Sequence, residues 1–236
     1  MCPVVSAGLL FPHPDPLPQA GGGEGGILDG NVLADRIARG MGAGARAVGL
    51  WHDVYRPAGV EFPVRLAWRI VRLPAAFDGG DPGYRRPRHY DRAVRGLFDT
   101  AYVRVGDYLA GPRGVLFVAA LPALARPLCV LTNGTVDVAR PRGPAWPGEN
   151  SYGASEPAEA VITGWPAQVM AAGAGRPGEL PGDGGQHGFV VVLPASVPVT
   201  LRGSDIVSDT AGRRFVVGSA EQTEMGWVLT CRLVGA

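Results

Sequence analysis

The side chains best suited to chemistry in this sequence are four histidines, three cysteines and two aspartates that recur in similar surroundings. His13, His52, His89 and His187 sit in dissimilar, mostly loop-like contexts. His52 and Asp53 are neighbours in sequence, but adjacent side chains diverge in a helix or a strand, so they form no dyad by default. A serine hydrolase would need a nucleophile elbow of the G-x-S-x-G type, which is absent. Cys129 with His89 or His187 would make a thiol hydrolase, yet nothing in the sequence activates the thiol. Cys2, Cys129 and Cys231 form no CxxC or Cys/His ligand spacing, so no metal site is expected. Cys129 and Cys231 read as reduced, buried strand residues of a protein made in a cytoplasm. Asp107 and Asp205 invite a paired-carboxylate reading, but equivalent strand-start positions fit turn capping better. The span 173–188 is glycine-rich without a phosphate-loop lysine or dinucleotide spacing and reads as a connection. The expectation is a protein without catalytic, cofactor-binding or metal-binding residues.

A second kind of chemistry lies in residues 84–95, where five arginines, two tyrosines and a histidine fall within twelve residues. Tyr84, Arg85, Arg86, Arg88, Arg92 and Arg95 would suit a nucleic-acid groove through phosphate contact and stacking. The same residue types favour protein interfaces, and Asp78, Asp81, Asp91 and Asp99 supply counter-charges nearby. A protein contact is the reading adopted, with DNA as the alternative. Over the whole chain 22 basic residues, all arginine, balance 21 acidic ones. No polyanion-binding tail or membrane-binding field follows.

The elements that must position these residues are short. Glycine (36) and proline (22) are too frequent for long helices, while 46% hydrophobic residues exclude disorder throughout. Residues 1–30 combine alternating prolines at 11–18 with a glycine run at 21–26, and form either a disordered arm or a spuriously translated one. The apolar stretch Val4–Leu10 has no basic segment before it and is too short for a bilayer, so neither a signal peptide nor an anchor is expected. Asn31 suits a helix cap, and Leu33, Ile37, Met41 and Ala45 recur at helical spacing. Gly40, Gly42 and Gly44 weaken that helix, which therefore needs a partner surface. Residues 62–73 alternate as a strand or extended arm between Pro63 and Pro74. Short strands and turns follow, with Asn133-Gly134 as a hairpin signal.

Laying residues 103–118 over 201–216 at a fixed offset aligns Arg104 with Arg202, Asp107 with Asp205, Gly114 with Gly212, Phe117 with Phe215 and Val118 with Val216. Each copy reads as a hairpin in which Asp starts a strand, Gly takes the turn and Phe returns to the core. Cys129 and Cys231 follow at similar distances. Two related β-modules are one explanation, and a chance likeness of two hairpins is the other.

Ser204-Asp205-Ile206-Val207, then residues 212–217 (Gly-Arg-Arg-Phe-Val-Val), then Gly226-Trp227-Val228-Leu229 form a further pattern. It resembles the end of head-closure and head–tail connector proteins of tailed bacteriophages, where a last strand closes a small barrel. With residues 72–77, 106–109 and 164–166 added, the chain looks like prophage structural proteins of alphaproteobacteria. The resemblance spans about residues 31–236, and its recognisable part is Asp205–Leu233. Doubling of the module departs from the usual single-barrel closure protein, leaving neck, tail and baseplate positions open.

The expected fold is mainly β, with two small barrel-like modules, a short N-terminal helix and extended arms. Its divisions are an arm at 1–30, a helix plus extended, arginine-rich segment at 31–96, a first module at 97–139, a linker at 140–158 and a second module at 159–236. Asp107, Gly114, Phe117, Asp205, Gly212, Phe215 and Trp227 are its turn and core residues. The resemblance implies a virion component made in a bacterial cytoplasm, a homo-oligomeric ring joined to other virion proteins and not to membrane. A non-viral barrel that binds a ligand or peptide is the alternative.

Overall fold

The structure, a computed structural model, describes residues 30–78, 93–141, 158–171 and 188–235. It is mainly β, with one N-terminal helix, α1 (Gly30–Val48), ahead of two closed six-stranded barrels. The first comprises β1 (Leu50–Tyr55), β2 (Arg69–Asp78), β3 (Ala93–Leu97), β4 (Tyr108–Gly111), β5 (Gly114–Ala120) and β6 (Leu128–Leu131). The second comprises β7 (Gly134–Arg140), β8 (Glu159–Ala171), β9 (Gly188–Leu193), β10 (Ile206–Asp209), β11 (Arg214–Thr223) and β12 (Gly226–Gly235). Around the first barrel the order is β1-β2-β3-β6-β5-β4, and around the second β7-β8-β9-β12-β11-β10. β1 closes its ring by pairing with β4, and β7 closes its own by pairing with β10. All pairings within the barrels are antiparallel, and closure leaves neither sheet an edge strand. One topology is used twice.

The helix holds to the first barrel by its small residues. Leu33, Ile37 and Met41 share a stripe with the buried Ala38, Gly42 and Ala45, and that stripe meets β2, β3 and the turn at Thr100–Tyr102. Gly42 is the closest point: a Cβ there would stand 3.1 Å from Asp99 Cβ. The glycines that lower helix propensity thus let the helix approach the sheet.

Alternation fixes the inner and outer faces of the first barrel. Val54, Leu73, Ala75, Leu109, Leu116, Val118 and Cys129 form its apolar interior. Tyr108, Phe117 and Val130 point the other way, yet are fully buried, because the second barrel covers them. The Tyr108 hydroxyl donates to the Pro166 carbonyl at 2.8 Å, and its ring meets Trp165 edge-on at 6.1 Å. The segment after β1 also crosses over. Phe62 N donates to Thr163 O at 2.8 Å, and the Trp165 indole donates to Val60 O at 2.7 Å. The two barrels share one apolar cluster.

Four expectations are corrected. The first module does not run from 97 to 139: it starts at Leu50, takes in β1–β3 from the supposed separate segment 31–96, and ends at Leu131. The second starts at Gly134, before the supposed linker 140–158, so β7 belongs to it. Asn133-Gly134 is therefore no hairpin turn but the crossing between barrels. Asn133 makes it by standing in for a strand residue, donating from Nδ2 to Val169 O (2.7 Å) and accepting at Oδ1 from Val169 N (2.8 Å). Residues 62–73 divide into a 3-10 turn at Leu66–Trp68 and the start of β2, which continues through Pro74. Proline is tolerated there because β2 pairs only with β1 at Pro74 and reaches β3 from Ala76 onward.

Candidate functional site

The two aspartates lie at the same place in their respective barrels, each under an arginine fork. Arg56 reaches from the end of β1 and places Nε 3.0 Å from Asp107 Oδ1 and Nη2 2.7 Å from Oδ2. Arg140, the last residue of β7, places Nε 2.8 Å from Asp205 Oδ1 and Nη2 2.9 Å from Oδ2. Each carboxylate also accepts a backbone N–H three residues upstream, from Arg104 at 2.8 Å and from Arg202 at 2.9 Å. Each guanidinium reaches one carbonyl more, Tyr102 O in the first barrel and Thr200 O in the second. Both aspartates are buried and their forks part-exposed. The hydrogen bond to its aspartate raises the pKa of each arginine, Arg56 and Arg140 alike.

These contacts pin the loop that enters β4 or β10. Gly106 at φ 90° and Ser204 at φ 71° make the same left-handed step before the aspartate. Their N–H groups donate to Val118 O (2.8 Å) and Val217 O (2.7 Å), and Asp107 and Asp205 accept from the N–H of those same two valines at 2.9 Å. The carboxylates stand in separate barrels and are saturated by structural donors. They form no general acid–base pair.

This geometry also settles the hairpin alignment. Gly111 pairs with Gly114 in the first copy, whereas Asp209 N bonds to Arg213 O in the second, a turn one residue longer. Phe117 therefore corresponds to Val216, and Phe215 to Leu116, correcting the fixed-offset match. Gly114 and Gly212 both take positive φ, at 114° and 79°, but at different points of their turns. Cys129 lies opposite Val118 and Cys231 opposite Val217, so the thiols do correspond. Both are free and buried; burial pushes the Cys231 thiol up to about 12, and the Cys129 thiol higher still. Phe215 packs inside the second barrel against Phe189 at 4.8 Å, and Trp227 is buried on β12 opposite Leu193.

Arg56 and Arg140 are the site residues that sequence reasoning missed. Their signal was present: Asp53-Val54-Tyr55-Arg56-Pro57 and Asp137-Val138-Ala139-Arg140-Pro141 share the pattern D-V-x-R-P. Of the arginine-rich set, Tyr84, Arg85, Arg86, Arg88 and Arg92 lie outside the described residues, as do Cys2, His13, His89, His187 and the spans 1–29 and 173–187. Arg95 is on β3 and donates to Arg126 O at 2.9 Å.

His52 is buried within the first barrel, its Nδ1 2.8 Å from Leu50 O and its ring edge-on to Phe77 at 5.2 Å. Nε2 has no hydrogen-bond partner among the described residues. Desolvation lowers the pKa of this imidazole, which is held neutral. Its neighbour Asp53 points outward toward Arg69 and Arg72, at 3.6 and 3.8 Å. Histidine and aspartate are thus on opposite faces of one strand. No cluster of three or more His, Cys, Asp or Glu is gathered among the described residues, and no helix among them is long and apolar enough to cross a membrane.

Two surface features remain. A cavity of about 440 Å³ lies beside the second pin, lined by Val60, Arg140, Glu159, Val161, Thr200 and Arg202 among others. An apolar groove of about 260 Å³ lies on the outside of the second barrel between Ile206, Arg214, Val216 and Val234. Compared with family models, curated proteins and solved structures, the chain matches none.

Proposed function

We propose that this chain is a non-enzymatic structural protein of a tailed-phage or prophage virion, a ring component of the head–tail connector, neck or tail. The observation that carries the reading is where the chain spends its apolar and polar groups. Both barrel interiors are filled with packed side chains, and the buried aspartates are consumed in holding loops. Apolar residues remain on the outside instead, at Trp51, Phe62, Leu66 and Val234. With the interiors filled, what the chain offers to other molecules is its outer surface, including the apolar groove at Ile206, Val216 and Val234. The connector resemblance adds support, since its three segments fall on or just before β10, β11 and β12, consecutive strands of one barrel. On this reading residues 84–95 contact a neighbouring subunit or another virion protein.

Mass spectrometry of particles released on prophage induction tests it: the chain should be present at ring-like stoichiometry, and its deletion should leave heads and tails unjoined or tails incomplete. Absence from particles, with normal particles in the deletion strain, would overturn the assignment. The polar cavity beside Arg140 favours a second reading, a ligand- or peptide-binding barrel. A ligand that raises the melting temperature of the wild-type chain but not of Arg202→Ala would favour it.

A further inference from the structure

The duplication predicts what should cover the free side of the second barrel. In the first barrel, Tyr108 and Phe117 form an outward pair across β4 and β5, buried because the second barrel sits on them. Their counterparts across β10 and β11 are Ile206 and Val216, which with Val234 line the groove of about 260 Å³. On the opposing side of the internal contact, the residue that takes the Tyr108 hydroxyl is Pro166, paired with Thr135. The counterpart of Pro166 in the first barrel is Pro74, paired with Trp51. Trp51 is 57% exposed, with the Arg72 guanidinium 5.8 Å from its ring. Helix α1 packs on β2 and β3, with Gly44 against Leu97, and leaves Trp51 exposed.

Each chain therefore presents a free counterpart of the Tyr108–Phe117 pair and, beside Pro74, an exposed Trp51, while the counterpart of Trp165 is Leu73, buried in the first barrel. We propose that a second copy of this chain covers the Ile206–Val216–Val234 groove with its Trp51–Pro74 face, repeating between chains part of the contact that joins the two barrels within one. One strand, β12, carries both Val228 of the shared apolar cluster and Val234 of the groove. The two faces differ, so the contact is head-to-tail and leaves one of each face free at the ends. It closes into a ring or runs on as a filament. Arg232 stands where the first barrel has Val130, so the contact between chains is more polar than the internal one. Assembly should then depend on concentration.

This inference rests on the assembly reading above and specifies its surface. Sedimentation of wild type, Val216→Arg and Trp51→Glu over a wide concentration range tests it, with circular dichroism and thermal melting as the check that both variants fold. Wild type should form species larger than a dimer, and each variant alone should need at least about tenfold more protein to associate. Mixed together, the two variants should form a dimer and stop, because each retains the half-contact that the other lacks. A wild type that assembles, with variants assembling equally well, overturns the surface while the structural role stands. A wild type that stays monomeric at all concentrations overturns the self-contact. Recovery of that monomeric chain from particles would leave the structural role intact.

Discussion

The two barrels agree at their pins and differ on their outer faces. Arg56–Asp107 and Arg140–Asp205 match atom for atom, down to the backbone N–H three residues upstream. Outward from the same strands, Tyr108, Phe117 and Val130 correspond to Ile206, Val216 and Arg232. What is kept twice is what a six-stranded ring needs to hold the entry of one strand. What varies is what each ring shows to its neighbour. The interiors vary too, with Leu116 in one where the other has Phe215, and His52 where the other has Val136.

The largest effect should come from the interior difference. Phe215→Ala removes a fully buried ring that packs against Phe189, and should cost about 3–5 kcal/mol. Leu116→Ala, its counterpart, should cost about 2–4 kcal/mol. Urea denaturation measures both. Equal costs would mean that the second core collapses around the void better than this packing allows.

The pins should break alike. Replacing Asp107 or Asp205 by alanine strands a backbone N–H and leaves an arginine fork without its acceptor, each fork part-exposed and able to turn to water. The expected loss is about 2–4 kcal/mol for either, and the two values should agree to about 1 kcal/mol. Arg140→Lys should lose part of it, because an ammonium cannot reproduce a two-point contact. A large loss at one aspartate and none at the other would show that the pins, alike in geometry, differ in what they support.

The duplicated hairpin was legible because Asp107 and Asp205 each occupy a place that nothing else fits, and a buried acceptor must be fed by nearby donors. Its depth was not legible. The turn gained a residue between copies, so a fixed offset matched Phe117 with Phe215 although they face opposite ways, one toward the other barrel and one inward. β1 went unread because Leu50-Trp51-His52-Asp53-Val54-Tyr55 hides its inward set behind a histidine, and follows the helix after a single glycine. The boundary between barrels was missed for a similar reason. Asn133-Gly134 carries turn chemistry, and only the acceptors and donors of β8 decide that the asparagine links instead of reversing the chain. Local patterns fixed the strands, and the choice of partner came from contacts far apart in sequence.

A smaller effect should separate the barrels at Gly111. A Cβ there would overlap the His52 imidazole, which lies against the glycine across the β1–β4 pair. Gly111→Ala should cost about 1–3 kcal/mol through overpacking. The second barrel has Asp209 and Val136 at these places, a wider residue opposite a smaller one. His52→Val should accordingly restore most of the loss when combined with Gly111→Ala. Absence of rescue would place the strain in the β4–β5 turn instead.

The smallest effect is one of pH, and only the first barrel should show it. His52 is held neutral: burial opposes its charge most, Arg113 opposes it further, and the Leu50 carbonyl and Asp53 favour it without prevailing. Its pKa in the folded chain therefore lies below the value near 6.5 that it regains on unfolding. Above that value neither state binds the proton, and the contribution to stability is complete. As pH falls through about 6.5 the unfolded chain takes up a proton that the folded chain refuses, so stability drops, by at most about 1.4 kcal/mol per pH unit. The drop ends once the folded-state pKa is passed. Carboxylates titrate mostly below this window, and the contribution of any other histidine cancels when wild type is compared with His52→Val. Denaturant midpoints at pH 7.5 and pH 5.5 should therefore differ more for wild type than for the variant, which carries at position 52 the residue that the second barrel has at 136. If both lose the same stability between these values, His52 finds a partner for its second proton on acidification, and the orphaned Nε2 is the place to look for it.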